Sequence, residues 1–124
     1  MGLAPLRILV VDDHVGFRQR ARSLFEEGGL DVVGEAGDGA ECLVAVAALR
    51  PDAVVLDVRL PGDDGFIVAE RLASLDSPPS VVLVSSRSLA DFGGRPLPTG
   101  VRGFIAKADL SAAALRMLLG AGAA

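Results

Sequence analysis

The chain has 124 residues, 51% apolar and 23% charged, which fits one globular domain, residues 1–124, built on one core. A net charge of −4 and five phenylalanines as the only aromatics argue against direct nucleic-acid binding, which needs a basic face and stacking platforms. No apolar run approaches the roughly 20 residues that cross a bilayer, and no basic segment leads into an apolar signal, so no membrane contact and a cytoplasmic location are expected.

The first apolar run, Ile8–Val11, ends in two adjacent acids, Asp12 and Asp13, followed by the single histidine, His14. At ~4 Å and an effective dielectric of about 20, two like charges repel by on the order of 4 kcal/mol. Something must offset that repulsion. Phe17, Ala21, Leu24 and Phe25 then mark one stripe of a helix that Gly28–Gly29 stops. A second strand, Val32–Ala36, leads to Asp38 and Glu41, which have capping-box spacing for a helix that Pro51 follows. Cys42, the only cysteine, reads as a core thiol on that helix and can form no intrachain disulfide.

The third strand, Ala53–Leu56, runs into Asp57. Gly62 and Gly65 in "PGDDG" read as turn residues before a third helix with Val68, Leu72 and Leu75 on one face, stopped by Ser77–Pro78–Pro79. The fourth strand, Val81–Val84, ends at Ser85. After it, Gly93, Gly94, Pro96 and Pro98 break any long helix, since an interior proline costs about 3 kcal/mol; only a short helix near Ser88–Phe92 is expected. Gly103–Ala106 forms the last strand and ends at Lys107. Ser111 opens a final helix with Leu115, Leu118 and Leu119 inward and Leu110 stapled onto Leu115.

Unalternating apolar strands separated by helices predict a parallel sheet covered on both faces, doubly wound by right-handed crossovers. In such a sheet the carboxyl ends of the strands share one edge, where a switch in strand order opens a crevice. Asp12, Asp13, Asp57, Ser85 and Lys107 should therefore converge. A solvated acid at one strand end is ordinary; four polar endings in one sheet point to a site. Other signals are weaker. His14 lacks a His or Cys partner and reads as a loop or helix-start residue. "DFG" at Asp91–Gly93 stands without the other kinase motifs, and Gly34, Gly37 and Gly39 do not form a dinucleotide fingerprint.

"VVDD", "VVLDVRLPGDDGF", Ser85 and "GFIAK", in this order and spacing, resemble the receiver domain of bacterial two-component response regulators over nearly the whole chain. "DDH" and "GFIAKADL" are most similar to receivers of the LuxR/NarL type. The resemblance implies a flavodoxin-like five-stranded sheet in the order 2-1-3-4-5. It also implies a phosphoacceptor switch, not a free-standing enzyme, in which Asp57 takes a phosphoryl group from a sensor histidine kinase. Mg²⁺ would be held by Asp13, Asp57 and the backbone carbonyl of Arg59, with Asp12 acting through water, which also answers the repulsion of the acid pair. Lys107 would meet the phosphoryl oxygens, Ser85 would donate a hydrogen bond, and Phe104 would be the aromatic switch residue. Arg59 and Arg87, each two residues beyond a site residue, are expected to rim the pocket. The implied partners are the kinase and an output domain or protein of unknown identity, with homodimerisation on phosphorylation as a further possibility.

Two departures stand out. Ala108 replaces the proline that usually follows the family's lysine; a cis bond before alanine would cost about 2.5 to 4 kcal/mol, so a trans bond is expected. The interrupted fourth helix lies where the family has its output face. An alternative reading is a pseudo-receiver that binds partners without phosphate. A phosphohydrolase using an aspartyl nucleophile would need an acid at position 59, which is arginine.

Overall fold

The computed structural model describes residues 5–87 and 94–120. Five strands form a parallel sheet: β1 (Arg7–Val11), β2 (Asp31–Ala36), β3 (Ala53–Asp57), β6 (Ser80–Ser85) and β7 (Val101–Ala106), in the order β2-β1-β3-β6-β7. The short strands β4 (Arg59–Leu60) and β5 (Asp63–Asp64) pair with each other as a separate antiparallel hairpin. With that hairpin set aside, the order is the expected 2-1-3-4-5. Four helices complete the described chain: α1 (Val15–Glu27), α2 (Gly39–Leu49), α3 (Gly65–Ala73) and α4 (Ala112–Leu119), the last preceded by a 3-10 turn, Lys107–Asp109.

Alternate residues of each strand face opposite sides of the sheet, and both sides are apolar. Ile8, Val10, Val55, Val82 and Val84 pack with Phe17, Ala21 and Phe25 of α1 and Leu115 of α4. Leu9, Val11, Val54, Leu56 and Leu83 pack with Cys42 and Val46 of α2 and Phe66, Val68 and Leu72 of α3. β3 is buried along its whole length, Asp57 included. The central strands therefore read as continuous apolar runs, and polar residues wait until the strand ends.

The ends of the helices follow local chemistry. Asp38 Oδ1 accepts the Glu41 N–H at 2.8 Å, while the Glu41 carboxylate reaches back past the N-cap residue to accept the Gly37 N–H at 2.8 Å, one residue beyond a reciprocal box. Ser111 Oγ accepts the Ala114 N–H at 3.0 Å, and Leu110 and Leu115 share one core cluster.

Several expectations need correction. Leu24 is 43% exposed and Leu75 39% exposed, so neither belongs to a core stripe. Leu75 falls beyond α3, because Ser74 ends that helix and its hydroxyl donates to the Arg71 carbonyl at 2.7 Å, three residues before the Ser-Pro-Pro breaker. Gly65 is the first residue of α3 and not a turn residue, whereas Gly62, at φ +71°, does take the left-handed turn of the hairpin. The short helix expected near Ser88–Phe92 lies outside the described residues. Residues 94–100, which hold Pro96 and Pro98, contain no helix.

Candidate functional site

Four strand ends meet at one edge of the sheet. A pocket of about 290 Å³ there is lined by Asp13, His14, Asp57, Arg59, Leu60, Pro61, Ser85, Ser86 and Lys107. Larger grooves lie elsewhere on the surface, but this small one gathers the chemistry. Asp12, Asp57 and Ser85 are the buried polar residues among those described.

The charges are arranged around Lys107. Its Nζ lies 2.5 Å from Asp12 Oδ2 and 3.4 Å from Asp57 Oδ2, and it stands 4.3 Å from the centre of the Phe17 ring. The lysine sits in the 3-10 turn directly after β7, and its bond to Ala108 is trans, as expected. Asp12 is fully buried behind it, and Asp12 Oδ1 also accepts the His14 N–H at 2.8 Å. Burial opposes ionisation of Asp12, but the hydrogen bonds from Lys107 and His14 outweigh it and hold the carboxyl below its ordinary value. Burial pushes Asp57 the other way, up to about 6; the Asp12 charge adds to the rise, while Lys107 and the Arg59 N–H oppose it. The two acids are thus driven apart, and one ammonium serves both.

Asp13 is more open and faces His14, whose Nδ1 lies 3.1 Å from Asp13 Oδ1 and 3.2 Å from Asp12 Oδ1. His14 is the N-cap residue of α1, as its helix-start reading anticipates, and makes no side-chain cap bond. Asp12, Asp13 and His14 together offer ligand atoms within 4.8 Å of one another. Asp57 is engaged with Lys107 and, through Oδ1, with the Arg59 N–H at 3.2 Å. Ser85 Oγ accepts the Arg87 N–H at 3.0 Å, which leaves the hydroxyl's own proton available to donate. Phe104 is half-buried beside Leu83 in register and packs against the α2–α3 side of the core.

The two arginines expected at the rim are placed differently. Arg59 lines the pocket; Arg87 is exposed and does not line it, and reaches the site through its backbone N–H, which donates to Ser85 Oγ. Neither guanidinium forms an ion pair with the acids; Lys107 pairs with Asp12 and Asp57. One contact at the site has no counterpart in the sequence reading: Arg18 Nη1 donates to the Asp12 carbonyl at 2.6 Å. Its signal was there to find, since Glu35 is a lone acid inside the strand "VVGEA", and Arg18 and Arg22 face it from one side of α1.

The family model of the response regulator receiver domain matches residues 8–117. The chain belongs to that family. It is 40% identical over 103 residues to the transcriptional regulatory protein named NarL of Mycobacterium tuberculosis, covering 82% of this chain and 48% of that protein. The receiver domain of that NarL superposes with a TM-score of 0.80 at 36% identity, covering 95% of this chain and 99% of that one. A LuxR-family response regulator from Aurantimonas superposes with a TM-score of 0.81 at 29% identity, covering 94% of this chain and 86% of that one. The receiver fold and its NarL/LuxR affinity are thereby shown. The chain spans about half the length of the curated transcriptional regulators it matches. No helix among the described residues is long and apolar enough to cross a membrane.

Proposed function

We propose that this receiver domain is a phosphoacceptor switch in which Asp57 takes a phosphoryl group from the phosphohistidine of a sensor kinase. The observation that carries the reading is the placement of one ammonium, Lys107 Nζ, between Asp12 and Asp57 in a pocket that Ser85 also lines.

Asp57 is the carboxylate at the pocket floor, only 6% exposed and held by the Arg59 N–H, so its attacking oxygen is aimed and partly desolvated. In the transfer an Asp57 oxygen bonds to phosphorus as the phosphorus–nitrogen bond of the donor breaks. The leaving imidazole keeps the bonding pair and is protonated. The incoming phosphoryl oxygens would draw Lys107 from its bridge between the two acids, since a flexible ammonium can follow charge. Ser85 then donates its hydroxyl proton to a phosphoryl oxygen, and Phe104, on the adjacent strand, follows into the space it leaves.

The donor set suits Mg²⁺: carboxylates of Asp12, Asp13 and Asp57 with the Arg59 backbone carbonyl offer only hard oxygen ligands, and His14 is not needed. Bound there, the ion supplies positive charge that neutralises the phosphoryl oxygens. The switch acts within the cytoplasm on an output domain or protein, with self-association on phosphorylation as its simplest readout. It releases its own phosphate but turns over no other substrate.

Incubation with Mg²⁺ and acetyl phosphate, followed by intact-mass measurement, tests this reading. One phosphoryl adduct on the parent chain and none on Asp57→Asn is expected. No adduct with either donor, acetyl phosphate or phosphorylated kinase, would leave the phosphate-independent interaction module, and steady turnover without an adduct would indicate a hydrolase.

A further inference from the structure

We infer that Arg18, clamped by Glu35, is a positioning residue for the divalent-cation site; the inference rests on the Mg²⁺ reading of the pocket. Asp12 is where β1 leaves the sheet. Its N–H still donates to the Ala36 carbonyl of β2 at 3.0 Å, but its carbonyl has passed the last strand partner and is taken by Arg18 Nη1 at 2.6 Å. The peptide that joins Asp12 to Asp13 is therefore held at its oxygen by one side chain. That peptide plane sets the direction in which Asp13 leaves the backbone.

Arg18 is itself fixed. Its Nε donates to Glu35 Oε1 at 3.0 Å, and the other Glu35 oxygen accepts from Arg22 Nε at 2.9 Å. Arg22 Nη1 donates in turn to the Val32 carbonyl at 3.0 Å. A carboxylate between two guanidiniums, one of them only 17% exposed, joins α1, β2 and the acid turn into one unit. A planar fork can serve a carbonyl and a carboxylate together; an ammonium at the end of a lysine cannot do so in the same geometry.

Charge and positioning make opposite demands, which gives the inference a sign. As a nearby positive charge Arg18 repels a cation, so its removal would tighten metal binding. As a positioning residue it aims the acids, so its removal weakens binding. Outer contacts that orient ligands typically carry about tenfold or more in affinity.

The test is calorimetric titration of the parent, Arg18→Ala, Arg18→Lys and Glu35→Gln chains with Mg²⁺ alone. Mn²⁺ electron resonance reports the site's geometry, and melting curves confirm that each variant is folded. Expected is about tenfold weaker Mg²⁺ binding in Arg18→Ala, with weakening also in Arg18→Lys and Glu35→Gln and an altered Mn²⁺ spectrum. Arg18→Lys keeps the charge and the stem, so it carries the test if Arg18→Ala does not fold. Variants that bind Mg²⁺ as tightly as the parent or more tightly overturn the inference while the metal site stands. A parent chain that binds no Mg²⁺ overturns the metal reading and the inference with it.

Discussion

A Cβ placed on Gly65 would lie 2.4 Å from the carbonyl oxygen of Asp57. The start of α3 therefore rests directly on the end of β3, and the contact is backbone against backbone. The Gly65 N–H completes it by donating to the Val58 carbonyl at 2.7 Å. Neither side can yield by rotating a side chain. Gly65→Ala is expected to lower stability by about 1 to 3 kcal/mol, the usual range for overpacking, and to displace Asp57. Denaturant unfolding measures the first effect; the rate of phosphoryl uptake by the folded fraction measures the second.

Burial raises Asp57 to about 6 from an ordinary value of 3.8, so the folded chain binds this proton more tightly than the unfolded chain does. Stability from this group is thus fully present below about 4 and is lost as pH rises through 6. Asp57→Asn removes that loss, so the unfolding free energy should rise at pH 7.5 by on the order of 3 kcal/mol, read as a higher melting point, with little change at pH 4. Glu35 runs the other way. Burial opposes its ionisation, but Arg22 and Arg18 hold its carboxyl below 4.5, so its contribution is present at neutral pH and disappears on acidification through that lowered value.

If three carboxylates share the pocket edge with one ammonium, a divalent ion should stabilise the fold in its own right. At tenfold excess over its dissociation constant, Mg²⁺ should add about 1.4 kcal/mol by mass action. Thermal melts with Mg²⁺ and with chelator check this, and Asp13→Ala should abolish most of the difference.

Arg59 lines the pocket and Arg87 does not, so the two arginines should separate in their effect on the acyl phosphate. Arg59→Ala is expected to shorten its lifetime several-fold by clearing the path for water. Arg87→Ala should leave it nearly unchanged, because the Arg87 contact to Ser85 is made by the backbone and survives the substitution. Decay of labelled phosphoprotein with Mg²⁺ saturating both variants distinguishes them.

Much of this architecture was legible because the relevant signals are local. Buried strands such as Ala53–Asp57 announce themselves as unbroken apolar runs, and their polar terminators Asp57, Ser85 and Lys107 stand where a parallel sheet converges. What stayed hidden depends on partners distant in sequence or on long side chains. Nothing near Gly65 reveals that its helix starts against Asp57, since its backbone needs no unusual angle. The β4–β5 hairpin is two residues a side and carries acids, so no periodicity marks it. Leu24 satisfied the helical period yet faces solvent, because the stripe of α1 that meets the sheet is only as wide as Phe17, Ala21 and Phe25. Arg87 sat at the right spacing, but spacing fixes its backbone and not the direction of its guanidinium.

The most direct measurement is borohydride trapping after phosphorylation by a sensor kinase, followed by peptide mapping. Reduction converts an aspartyl phosphate to homoserine and marks the acceptor. Homoserine at position 57, and at neither position 12 nor position 13, is the predicted result. A mark at another acid, or a phosphorylated chain whose label survives in Asp57→Asn, would contradict the account.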